Sequence, residues 1–190
     1  MTDAQVTSEP TPTPPPAVAT PSLPDLTTWV KTHLAAVYEA TEEDDLRSSF
    51  EMVFAPEVEI HLNHELVSRD EMRDKLMQGR FAASSASLEW KNVMCVPKED
   101  AELTGLVAGY FVIDRTSKFR IRAAPAHRTM TCTFSAKIDD IPSVEADEHG
   151  DKRRIVHMFQ TSLNEAAPIH FARPFAMVPQ GNLPSVTEIK

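Results

Sequence analysis

The sequence predicts an α+β domain, and three observations carry that expectation. Apolar residues recur with helical spacing from Leu26 to Leu76. One short stretch among them, "EVEIHLN" at 57–63, alternates strictly and reads as a strand. Beyond about residue 86 the chain turns into four long strand-like runs separated by turn signals. Helices first and consecutive strands afterwards is the order of an α+β chain, not of an alternating α/β one.

Each element has its own reason. Leu26, Trp29, Val30, His33, Leu34, Val37 and Tyr38 form one stripe at i, i+3, i+4, i+7 spacing, with Pro24 and Asp25 suited to its first turn. Thr41-Glu42-Glu43-Asp44 resembles a capping box and opens a second helix carrying Leu46, Phe50, Val53 and Phe54, which Pro56 ends. In the strand at 57–63, Val58, Ile60 and Leu62 share one face, and Glu59, His61 and Asn63 the other. Ser68-Arg69-Asp70-Glu71 caps a third helix with Met72 and Leu76 inward and its end expected at Gly79. Of the long strands, the run at 86–97 puts Leu88, Trp90, Asn92, Met94 and Val96 on one face. The run at 103–118 is apolar on both faces near Val107–Ile113, so both faces are expected to be covered. The run at 126–138 alternates Thr129, Thr131, Thr133 and Ser135 with Met130, Cys132, Phe134 and Ala136. The run at 153–164 places Ile155, His157, Phe159, Thr161 and Leu163 together.

Composition sets the class. Hydrophobic residues make up 42% and charged residues 25% of 190, as in an ordinary water-soluble domain. Residues 1–21 are rich in Pro and Thr and read as a disordered tail; 22–165 hold the domain; 166–190, with Pro168, Pro174, Pro179 and Pro184, read as a second tail. With 28 acids against 19 bases, the net charge is -9, so nucleic acid is not an expected partner. No signal peptide and no membrane-spanning run stand out, which makes an intracellular, cytoplasmic protein the expectation. Cys95 and Cys132 show no metal or redox spacing and read as strand thiols. His61 and His64 are three apart beside a strand, where a period of two puts them on opposite faces, so no metal site is expected there. The stretch 115–128 holds five Arg or Lys and no acid. It either binds an anion or faces the acidic loop 139–151, and the charge balance favours the loop.

This order of elements resembles the nuclear-transport-factor-2-like superfamily and, within it, the SnoaL-like group, over about residues 25–165. The matching pieces are the stripe from Leu26 to Tyr38, "FAPEVEIHLN", "LVSRDEMRDKL", "GLVAGYFVIDRTSK" and "DKRRIVHMFQT". The resemblance implies a cone-shaped, curved antiparallel sheet wrapped around three N-terminal helices. It also implies a hydrophobic pocket at the open end and a homodimer paired through the outer sheet face. For such proteins it implies cofactor-independent acid–base chemistry, of dehydratase, isomerase or cyclase type, on a small apolar carbonyl compound. A non-catalytic ligand-binding or protein-interaction module of the same fold is the alternative.

Polar residues on apolar inner faces are the candidates for such a pocket. His33 and His157 are the proton-transfer candidates, since an imidazole titrates near neutrality. Asn92, Tyr38 and Tyr110 would orient a carbonyl, and Trp29, Trp90, Cys132 and Phe159 would line the pocket. Catalytic members of the superfamily commonly carry an Asp or Glu base, whereas the inner faces assigned here hold no clear carboxylate; Asp114, near a strand end, comes nearest.

Overall fold

A computed structural model describes residues 23–81, 83–121 and 124–166. In chain order, α1 (Leu26–Glu39) and α2 (Glu43–Val53) lead into β1 (Phe54–Leu62) and β2 (Glu65–Val67). Then come α3 (Arg69–Phe81), β3 (Ala83–Lys98), β4 (Ala101–Ile121), β5 (Ala124–Asp140) and β6 (Arg153–Ala166). The strands form one unclosed sheet in the order β2-β1-β6-β5-β4-β3. All pairs are antiparallel except β1 with β6. The expected tail at 1–21 lies outside the described residues, and so does the one at 166–190 apart from Ala166, which ends β6.

The helices start where their caps dictate. Asp25 precedes α1 and accepts a hydrogen bond from the Thr28 backbone N–H at 2.9 Å. Six residues of the α1 stripe, Leu26 to Tyr38 with His33 excepted, are buried against the inner face of β3 and β4. At roughly 1.5–3 kcal/mol for each large apolar side chain, that face outweighs any local propensity. The box before α3 is reciprocal: Glu71 accepts from the Ser68 N–H at 2.8 Å and Ser68 Oγ from the Glu71 N–H at 3.2 Å. The expected box before α2 does not form, because Glu42 is the N-cap and makes no side-chain cap bond. α2 also ends at Val53, ahead of Pro56, because Phe54 already pairs with Ile155 in β1. Gly79 sits within α3 instead of ending it; a Cβ there would lie 3.3 Å from the Arg115 guanidinium. Asn63 and His64 take positive φ and turn the chain into β2, a strand the sequence did not announce.

Register breaks bend the sheet. Lys91 is an extra residue between the pairs Trp90–Phe111 and Asn92–Tyr110. Val156 is another, between Ile155–Ile138 and His157–Lys137. Each reverses the alternation beyond it. Trp90, Val93 and Cys95 therefore pack inward while Asn92, Met94 and Val96 point out. Likewise Ile155, Met158 and Gln160 are buried while His157, Phe159 and Leu163 are exposed. The expectation that both faces of β4 are covered fails within the single chain, where Leu106 and Tyr110 are exposed.

Aromatic rings fill the concave side. Phe111 packs 5.3 Å from Tyr38, 5.1 Å from Trp90 and 5.7 Å from Phe134, centroid to centroid. Gly109 makes that possible: a Cβ there would come within 2.6 Å of the Phe134 ring. The acidic loop after β5 is tied down by Ile141 N–H to Lys152 O and Asp147 N–H to Asp151 O. Its Asp151 carboxylate accepts from Arg153 Nε and Nη2, at 2.9 and 2.5 Å to Oδ2, with both side chains only 3% exposed. Arg153 also donates to Leu103 O and lies over the Trp29 ring, which locks the loop to β4 and α1. Nor does that loop face the basic stretch. The basic stretch ends at Arg128 and the loop begins at Asp139, about 36 Å farther along β5; Arg122 lies outside the described residues.

Candidate functional site

A narrow cleft opens between the C-terminal end of α1, α2, α3 and the start of β3. Val37, Ala40, Leu46, Leu76, Ala83 and Ala86 form its apolar walls, and Tyr38, Arg80 and Arg115 supply its polar groups. The cavity proper is about 10 Å³, barely the space of one water; the solvent-open part raises the non-atom space to about 270 Å³.

The polar groups arrive there for local reasons. Tyr38 is the last residue of the α1 stripe, and its hydroxyl donates to Gln160 Oε1 at 2.5 Å. Gln160 reaches the interior only because the Val156 bulge turned it inward, and its amide also donates to Cys132 Sγ at 3.6 Å. Burial lifts the Tyr38 hydroxyl well above the usual tyrosine range and pushes the Cys132 thiol up to about 12. Both are therefore neutral at pH 7. Arg115 continues the inward parity of Phe111 and Ile113 on β4. Its guanidinium is half-buried, and it makes no hydrogen bond or ion pair among the described residues. Burial holds its pKa below the usual arginine value, with Tyr38 and Cys132 as its nearest ionisable neighbours. An arginine keeps its proton even so. Arg80, from the last turn of α3, donates to Thr41 O at 2.8 Å and stands 3.8 Å from Glu43. Its Nε is buried without a partner.

The expected site residues do not converge. Trp29, Tyr38, Trp90 and Cys132 belong to the core, and of these only Tyr38 borders the cleft. His33 lies in the middle of α1, one turn before Val37 and outside the cleft lining, stacked on Trp29 at 4.4 Å with Nδ1 2.9 Å from Trp29 O. Burial lowers its pKa; the Trp29 carbonyl and the Asp151 and Asp147 charges pull it back up. Asn92 and Tyr110 face outward as a pair, and His157 and Phe159 are on that same convex side. There His61 stacks on Phe159 at 4.5 Å and bonds Glu59 at 2.9 Å, while His157 stands 3.6 Å from the second Glu59 oxygen. Asp114 is exposed and accepts from Thr129. Sequence reasoning missed Arg115, Arg80 and Gln160. Parity with Phe111 and Ile113 was the signal that could have found Arg115.

No protein-family model matches the chain, and neither does any curated protein. Solved structures do. A candidate aromatic ring hydroxylase from Novosphingobium aromaticivorans matches at TM-score 0.53 and 11% identity, over 75% of this chain and 91% of that one. IdmH, a candidate polyketide cyclase from Streptomyces antibioticus, matches at TM-score 0.46 and 18% identity, over 70% and 90%. A nuclear-transport-factor-2-like protein of unknown function from Exiguobacterium sp. 255-15 matches at TM-score 0.43 and 14% identity, over 73% and 98%. The chain shares the fold of the first of these, an α+β cone with a curved and unclosed sheet, as the resemblance to the nuclear-transport-factor-2-like superfamily implies. Among the described residues, no helix is long and apolar enough to cross a membrane.

Proposed function

We propose that this protein binds a small, largely apolar molecule in the cleft between α1, α3 and β3, and that binding, not acid–base turnover, is its activity. The observation that carries this reading is the lining itself. Six apolar walls enclose a polar end whose groups are neutral or cationic at pH 7. A general base near neutrality is what proton abstraction requires, and among the described lining residues none has that character. His33 and His157, the sequence candidates for that role, are not among its lining: His33 stacks on Trp29 in the middle of α1, and His157 stands on the convex sheet face.

The test is a thermal-shift screen of neutral and charged apolar fragments against the wild type and Ala86→Phe, whose ring would fill the cleft from β3. Ligand-induced shifts in the wild type that vanish in a folded Ala86→Phe support the site. Shifts that persist in the variant, or a screen without shifts in the wild type, refute it.

We further propose that the convex sheet face pairs two copies of the chain. Met94, Leu106, Tyr110, Phe159 and Leu163 all stand exposed on it, more apolar side chain than a monomer's surface usually carries together. Light scattering should give a dimer mass for the wild type and a monomer mass for Leu106→Lys/Phe159→Glu; a monomeric wild type refutes the pairing.

A further inference from the structure

We infer that the cleft selects an organic carboxylate and holds its anionic head against the Arg115 guanidinium. The inference rests on the binding reading above and specifies the class of ligand. Three observations bear on it together.

First, Arg115 is an interior cation without a counter-charge. Its side chain points into the cone, is half-buried, and makes neither a hydrogen bond nor an ion pair among the described residues. The contrast with the other inward arginines is sharp. Arg153 is held by Asp151, and Arg154 donates to the carbonyls of Glu51, Arg153 and Glu145. Partly desolvated guanidinium is expensive to leave unmatched, so its surroundings call for an anion. Second, a further guanidinium borders the same cleft. Arg80 spends one nitrogen on Thr41 O, lies 3.8 Å from Glu43, and keeps a buried Nε–H with no acceptor. Third, no carboxylate lines the cleft to compete with an incoming anion.

The head group follows from the chemistry of the walls. A planar guanidinium fork matches a carboxylate with two parallel N–H···O bonds. The same fork also matches a phosphate, so the choice of head group rests on the walls and not on the number of donors. The remaining walls are apolar, which suits the hydrocarbon body of a monocarboxylic acid and not a free inorganic ion. Gly79 lets the Arg115 guanidinium pack directly against α3, where a Cβ would stand 3.3 Å from it.

The test uses hexanoate and phenylacetate against their neutral counterparts hexanamide and phenylacetamide, with inorganic phosphate as competitor, on the full chain by calorimetric titration. Wild type should bind each acid at least tenfold more tightly than its amide. Arg115→Met should erase that difference by weakening the acids, and Arg115→Lys should keep part of it. Without ligand, Arg115→Met should raise the thermal midpoint, because an unmatched cation has gone. Equal affinity for acid and amide, phosphate displacing the acids at equimolar concentration, or a lower ligand-free midpoint in Arg115→Met overturns the carboxylate inference alone. Absence of all binding, or binding untouched by Ala86→Phe, overturns the cleft itself.

Discussion

Replacing Asp151 by alanine would strip the partner from Arg153, the most buried cation among the described residues. Asp151 accepts from the Arg153 backbone N–H at 2.9 Å as well as from its Nε and Nη2, and both side chains are 3% exposed. With the carboxylate gone, Arg153 keeps Leu103 O and the Trp29 ring face, 5.6 Å from the centroid, and no carboxylate within hydrogen-bond reach among the described residues. Removing one member of a buried pair costs about 3–5 kcal/mol. For a domain of this size each kcal/mol moves the midpoint by about 2–4 °C, so the melt should fall by about 6–20 °C. Urea unfolding followed by tryptophan fluorescence measures the loss, since Trp29 reports on the site. Asp151→Leu combined with Arg153→Met should recover most of it, because an apolar pair needs no counter-charge. The wild type carries a pH signature of the same pair. Burial pushes Asp151 up, but Arg153's hydrogen bonds and charge outweigh it and hold the folded pKa below the usual 3.8. A depressed carboxyl contributes stability that is complete above 3.8 and lost as pH falls through the folded value. That acid-side loss should be absent in the double variant. A single-variant cost under about 1 kcal/mol would refute the claim that the guanidinium is desolvated.

Other perturbations follow from the same geometry. Tyr38→Phe leaves Gln160 Oε1 buried without its donor and should cost about 1–3 kcal/mol in urea unfolding, most of it recovered by adding Gln160→Leu. Gly109→Ala pushes a methyl to 2.6 Å from the Phe134 ring and 3.1 Å from Asn92 O, so a loss of about 1–3 kcal/mol is expected. Cys132, fully buried with its thiol pushed up to about 12, should resist a thiol reagent that labels Cys95 in the native protein, and react only on unfolding. His33 has a folded pKa below 6.5, so stability should fall as pH drops from 6.5 through that lower value; His33→Gln should flatten this segment of the urea-midpoint profile.

The sequence by itself determined the element types and their order, β2 excepted, and one inner stripe. Leu26 to Tyr38 announced α1 because helical periodicity is a local property, and Ser68 with Glu71 announced α3 because a capping box closes within four residues. Only the tertiary structure decided which way the long strands present their side chains. Alternation counted along the chain assumes that no residue is extra, and Lys91 and Val156 are extra only with respect to strands that pair with them. Asn92 and His157 were thereby sent to the convex side, and Gln160 was brought inside beside Tyr38. Solitude is likewise a property of three dimensions. Whether Arg115 meets an acid and Arg153 does not stand alone depends on which helix and loop arrive beside them, and a list of charges carries no such distances.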